Sequence, residues 1–177
     1  INWKLNGLYA GRRNLYMRMP FDDSSRVYSD DNTSRIHYLL SRQVAVSAGE
    51  YLYRQHEASA THRFDLRRLD FLAANRSLRS LLERYQANTD ILTACEEHCW
   101  RNFVGLYLQF RRQWATFTPQ EHQLIRLSFK ESLQAMRPER LPCALRWSPS
   151  WLFVRPFSLF VAYRQVLSVL KRILKPF

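Results

Sequence analysis

The stretch RVYSDDNTSRIHYLLSRQVAVSAGEYLYRQHEASATH, Arg26–His62, decides how the chain is read. Near its start stand two adjacent carboxylates, Asp30 and Asp31, in a chain that is otherwise strongly basic. The NTSRIHYLLSR that follows reads as a short helix: Asn32 or Thr33 caps it, and Ile36, Leu39 and Leu40 supply its apolar face. Next, VAVSAGEYLYRQH places Val44, Val46, Tyr51 and Tyr53 in alternation across a pleated backbone, with Gly49 at a turn or bulge. By local chemistry alone, the acidic pair is a turn that leads into a helix.

Downstream the period changes. From Phe64 onward, Leu66, Leu69, Leu72, Leu78, Leu81, Leu82 and Tyr85 recur mostly at three- and four-residue steps, with Arg67, Arg68, Arg76, Arg79 and Arg84 falling between them. ANTD breaks that run. A second helix carries Leu92, Cys95, Cys99, Phe103, Leu106 and Phe110 on one side. TPQE (Thr118–Glu121) is a helix start: Thr118 caps, Pro119 suits the first helical position and Glu121 completes a capping box. The third helix runs through Leu124, Ile125, Phe129, Leu133 and Met136, after which prolines interrupt the chain.

The sequence has 177 residues, 46% of them hydrophobic and 14% aromatic, enough to build one ordinary core. Its first residue is Ile, and INWKLNGLYAGRRN has neither the basic-then-apolar order of a secretion signal nor a cleavage site, so the reading is of a fragment. The net charge of +12 points to an anionic partner: phosphate, nucleic acid, a lipid headgroup or a nucleotide-linked donor. The same excess also serves plain solubility. Three cysteines, Cys95, Cys99 and Cys143, are too few and too odd for a disulfide framework and fit a reducing, cytosolic setting. CEEHC (Cys95–Cys99) has the look of a metal site, but no second ligand pair completes a tetrahedral set, and two small buried thiols on a helix are the simpler reading.

The closing WLFVRPFSLFVAYRQVLSVLKRILKPF is apolar but interrupted by Arg155, Arg164, Lys171, Arg172 and Lys175, so no uncharged run reaches the ~20 residues that cross a bilayer. Tyr163, Val166, Leu167, Leu170 and Leu174 form one stripe, and Arg164, Ser168, Lys171 and Lys175 the opposite one. Residues 137–177 hold eight basic side chains against one acidic. Two readings stand: a helix lying on an anionic membrane surface, or a terminal helix docked on its own domain with a solvated basic face.

Across residues 7–62, NGLYAGRRNLYMRMPF followed by RVYSDDNTSRIHYLLSRQVAVSAGEYLYRQHEASATH resembles the C-terminal half of the catalytic domain of family 2 glycosyltransferases, which have the GT-A fold. The order is the family's: an acidic pair, a helix, then a strand ending in a YLYRQH…S…TH-like phrase. The resemblance implies an α/β fold, with a partial GT-A-like catalytic domain over residues 1–62. A helical region (63–136) and a basic amphipathic segment (137–177) follow. It implies transfer of a sugar from a nucleotide-diphosphate donor to an acceptor hydroxyl in polysaccharide or glycan synthesis, with inversion. A hydroxyl is a weak nucleophile and needs a carboxylate to take its proton. The resemblance puts Asp30 at that base, with Asp31 the adjacent candidate; Ser29 stands where the family has Glu.

The same resemblance places Arg54 against the donor phosphates, His56 or His62 on phosphate or a divalent metal, and Ser59 as a hydroxyl donor. Magnesium or manganese is the implied cofactor, held chiefly by an Asp-X-Asp element. That element and the nucleotide-binding half before it are not in this sequence; Asp22–Ser24 lies too close to the acidic pair to serve. The implied partners are a nucleotide-sugar donor, a glycan or lipid-linked acceptor, and an anionic membrane surface meeting 151–177. The implied location is the cytoplasm or the inner face of the plasma membrane. A different class of function is a basic helical binding module for nucleic acid or an acidic partner. Against nucleic acid, the arginines are dispersed over several helices and the aromatics lie on apolar faces, as core rather than as stacking platforms.

Overall fold

The computed structural model describes residues 9–25, 28–46, 48–50, 52, 64–147 and 157–173. Over these residues the chain forms seven α-helices: α1 (Arg13–Arg18), α2 (Asp30–Leu40), α3 (Asp70–Arg84), α4 (Thr89–Arg112), α5 (Pro119–Gln134), α6 (Cys143–Arg146) and α7 (Phe157–Ile173). Short 3-10 turns at Leu66–Leu69, Trp114–Thr116 and Pro138–Arg140 join them.

The expected α/β, GT-A-like architecture is not what forms: the described residues are mainly helical and contain no strand. The strand reading rested on four alternating residues. Of these, Val44 and Val46 lie in a non-helical segment, 60% and 97% exposed, with no neighbouring strand among the described residues to take up their backbone groups. Tyr51 and Tyr53 lie outside the described residues. A window of four alternating residues is short evidence beside the three- and four-residue spacing that runs through α3, α4 and α5.

Those three helices follow their sequence signals. Asn88 caps α4, its side chain accepting the Ile91 amide at 2.9 Å. Before it, Gln86 takes a left-handed conformation (φ 53°), and the Ala87 amide reaches back to the Leu82 carbonyl at 2.9 Å, turning α3 into α4 within a few residues. Thr118 and Glu121 form the full capping box at the start of α5. Its effect is to satisfy amides that the first turn leaves without helical partners.

Two apolar groups make the core. The larger gathers Leu72 of α3, Phe103 and Phe110 of α4, Ile125 and Phe129 of α5, and Phe160 of α7. Phe103 is wholly buried, edge-on to Phe129 at 5.3 Å and tilted against Phe160 at 5.4 Å. Such ring pairs add about 0.5–1.5 kcal/mol each beyond the area they bury. The smaller group packs Met19 and Ile36 against Leu78 and Leu82 of α3 and Cys95 and Cys99 of α4.

Arg79 is buried, although its position in the sequence reads as a polar interruption of the leucine stripe. Its Nε and Nη2 donate to Glu96 Oε2 and Oε1 at 2.8 and 2.9 Å, and the Arg137 amide donates to Oε1 at 2.9 Å. Bidentate geometry and the added amide offset the cost of removing both charges from water. The contact fixes α3 against α4 and the chain that leaves α5.

α7 docks through Phe160, which meets Trp100, Phe103 and Tyr107. The helix is thus part of the same core. Its far side does not follow the expected division into an inward apolar stripe and a solvated basic one. Arg164 is half-buried and its charge acts on Tyr107, whereas Leu159, Ala162, Val166, Val169 and Leu170 are exposed. No described helix is long and apolar enough to cross a membrane.

Candidate functional site

The N-terminus of α2 carries the acidic pair, and hydrogen bonds from the preceding loop set its position. The Ser29 hydroxyl donates to the Ser25 carbonyl at 2.7 Å, and the Tyr28 amide donates to the Ser25 hydroxyl at 3.0 Å. Ser29 therefore sits buried just ahead of the helix, which begins at Asp30 rather than after Asn32 or Thr33. Those two expected caps are instead buried inside the first turns and bind other elements. The Thr33 hydroxyl accepts the Asp22 amide at 2.9 Å. The Asn32 amide nitrogen donates to Asp22 Oδ2 and to the Ala74 carbonyl of α3, both at 2.8 Å. Asp22 also accepts the Ser77 hydroxyl at 3.0 Å, which ties loop, α2 and α3 at one carboxylate.

This frame separates the two carboxylates. Asp31 is half-buried and within 3.5 Å of the Arg35 guanidinium one turn on, so its charge is answered locally. Asp30 is exposed and makes no hydrogen bond or ion pair among the described residues. Both lie in the first turn, where the helix dipole favours negative charge by about 0.3–1 kcal/mol. An anchored helix end with one tied and one open carboxylate can accept a proton, or a hydroxyl hydrogen bond, at the open one. Arg54, His56, Ser59 and His62 lie outside the described residues, so the structure places only Asp30 and Asp31 of the expected set.

Further along α2, His37 is fully buried between α1 and the loop. Its Nε2 meets the Met19 carbonyl at 2.7 Å and must donate, leaving Nδ1 to accept from the Tyr9 hydroxyl at 2.8 Å. Tyr16 stands edge-on to the ring at 4.6 Å. Burial, then the Tyr16 side chain, push the Tyr9 pKa up, so the phenol stays a donor. The arrangement is a structural latch between α1 and α2.

The CEEHC segment also resolves structurally. Cys95 and Cys99 are buried, their sulfurs 3.9 Å apart, and the Cys99 thiol donates to the Asn75 carbonyl. The hydrogen bond to Cys99, together with burial, pushes the Cys95 thiol up, which makes it a poor nucleophile and a poor metal ligand. His98 contacts Asn102 at 3.0 Å, and burial, with Arg35 nearby, lowers its pKa to about 4. No three His, Cys, Asp or Glu side chains come together as a metal site among the described residues.

Sequence reasoning missed a second place with chemistry in it: Tyr107 and Arg111 of α4 and Arg126 of α5 line one cavity with Val161 and Gln165 of α7, and the Arg164 charge also acts on Tyr107. Only Tyr107 and Arg111, one turn apart, carry a local signal; the rest of the convergence is made by packing. In comparisons with known proteins, no family model, no curated protein and no solved structure matches the chain.

Proposed function

We propose that this chain contributes the acceptor-side chemistry of a sugar transfer, with Asp30 as the general base. The observation that carries the reading is the contrast at the start of α2: Asp31 is tied to Arg35, while Asp30 is exposed, unpaired among the described residues and held in place by the Asp22–Asn32–Thr33 hydrogen bonds. The sequence phrases that resemble family 2 transferases supply the reaction class. The chemistry then asks one thing of Asp30. Its carboxylate takes the acceptor hydroxyl proton as that oxygen attacks the anomeric carbon, opposite the departing nucleoside diphosphate. A divalent ion, where the full enzyme holds one, neutralises the diphosphate as it leaves. The exposed apolar side of α7 supports a location at a membrane surface, where lipid-linked acceptors are found.

The alternative, a basic module for nucleic acid, has less support. Arg35, Arg67, Arg79, Arg101 and Arg140 are each engaged by a carboxylate and so are not available to phosphates without losing that partner.

The test is nucleoside diphosphate release from a panel of nucleotide sugars by the full natural protein, with magnesium or manganese and a glycan acceptor. Asp30→Asn should lower turnover by about 10²–10⁴-fold, the usual contribution of a general base, with donor binding kept. Asp31→Asn should act only weakly. If both variants turn over at the parent rate, or if no nucleotide sugar is consumed at all, the reading fails.

A further inference from the structure

Between α4, α5 and α7 lies a cavity of about 290 Å³, close to the lower end of the range for small-molecule sites. Its walls are apolar: Phe110 from α4, Ile125 and Phe129 from α5, and Val161 from α7. Its rim is cationic. The Arg126 guanidinium stands over the Trp114 ring at 5.5 Å, and Trp114 is in turn stacked on His122 at 4.0 Å, which fixes the direction of that charge. Arg111 also lines the cavity and hydrogen-bonds the Tyr107 side chain, while its Nη1 is buried with no hydrogen-bond partner among the described residues. The Arg164 charge acts on the same phenol, Tyr107, as those of Arg111 and Arg126 do.

Two guanidinium groups, Arg111 and Arg126, thus line one cavity, with the Arg164 charge acting on Tyr107 beside them. None of them belongs to the ion pairs found among the described residues, which use other arginines. The one carboxylate at this end of α5, Glu121, is occupied by the Thr118 amide and hydroxyl. Other arginines among the described residues also hold a buried N–H without an acceptor, but Arg111 is one that lines the cavity. Charge complementarity therefore asks for an anion at the rim, and the walls ask for an apolar body below it.

We propose that this cavity binds a small amphiphilic anion, an alkyl or similar apolar chain ending in a phosphate. The chain lies against Phe110, Ile125, Phe129 and Val161. The phosphate oxygens accept from Arg111 and Arg126, with Arg164 adding its field. A planar guanidinium matches phosphate geometry through paired N–H donors, which is the reason an arginine rim selects it. The site is distinct from Asp30 and does not rest on the sugar-transfer reading.

Calorimetric titration with octyl phosphate, octanol and inorganic phosphate tests it. Octyl phosphate is expected to bind, and the other two at least about tenfold more weakly, since each lacks one half of the recognition. Arg126→Gln and Arg111→Gln should each weaken octyl phosphate by about tenfold, as loss of a charge-assisted contact does. Arg101→Gln, which breaks an exposed ion pair elsewhere on α4, should leave it unchanged. Thermal melts of each variant separate lost binding from lost folding, and Arg126→Gln, at the rim, is the variant that keeps the core intact. Equal binding of inorganic phosphate would make this a bare anion site. Equal binding of octanol would make it an apolar cavity only. Either result, or unchanged binding in both arginine variants, overturns the proposal.

Discussion

Around α2 the chain is held in register by hydrogen bonds, whereas around α7 it is held by aromatic area. At the first end, one carboxylate, Asp22, gathers Asn32, Ser77 and Ser24, and one imidazole, His37, gathers Tyr9 and Met19. At the other end, Phe103, Phe129 and Phe160 meet ring to ring without a hydrogen bond between them. Directional bonds fix where a side chain points, which a chemical site needs. Non-directional area supplies stability but leaves gaps, and the cavity beside Phe110 and Phe129 is one.

The sharpest way to break the comparison is to remove one ring. Phe103→Ala should destabilise the protein by about 3–5 kcal/mol, because a fully buried aromatic is lost and its neighbours cannot close the space. Denaturant midpoints measure it. A cost near 1 kcal/mol would mean that the aromatic end is not what holds the fold.

At the hydrogen-bonded end, His98 gives an effect of about 2 kcal/mol that appears only in acid. Burial lowers its pKa to about 4, below the ordinary value near 6.5. Unfolding therefore takes up a proton between those values, and stability must fall as pH drops from about 6.5 towards 4. The full shift is discounted because part of the ring reaches water. His98→Gln should flatten that slope in urea titrations at pH 7, 6, 5 and 4.5. An unchanged slope would place the acid sensitivity elsewhere.

Asp22→Ala tests whether directional bonds position α2. It leaves the Ser77 hydroxyl and one Asn32 amide hydrogen without their acceptor, at a cost of about 1–2 kcal/mol. Hydrogen exchange should quicken in the first turn of α2 more than in α4. Uniform quickening would show that the network adds stability without setting register.

How far the sequence was legible follows the same division. Helices α3, α4 and α5 were readable because periodic apolar residues and caps such as Thr118–Glu121 are local signals, and their buried faces are largely the expected ones. Leu124 is an exception, close to half exposed at the edge of its stripe. The α/β expectation failed because a resemblance in residue order carries no pairing information, and Val44 and Val46 have no strand beside them among the described residues. Asp30 was legible as a carboxylate at a helix start. Its separation from Asp31 was not, because that depends on an Arg35 rotamer. Arg79 read as surface since nothing in α3 announces Glu96 seventeen positions later, and the arginine rim of the cavity is assembled by α4 and α5, which only packing brings together.

The smallest effect on stability is expected on the outer side of α7, and it sharpens the comparison most. Phe160 and Val169 lie on one helix, but Phe160 is fully buried while Val169 is 53% exposed. Val166→Gln with Val169→Gln should shift folding free energy by no more than about 0.5 kcal/mol each, since both side chains are more than half exposed and glutamine is at least as good a helix former. The same pair of changes should markedly weaken co-sedimentation with vesicles rich in anionic phospholipid, because in-plane binding scales with the apolar area a helix can bury. Stability and vesicle binding then part company on opposite faces of one helix. If vesicle binding survives the double change, the membrane is not what this face meets. If the changes instead abolish a concentration-dependent dimer, a second copy of the chain covers it.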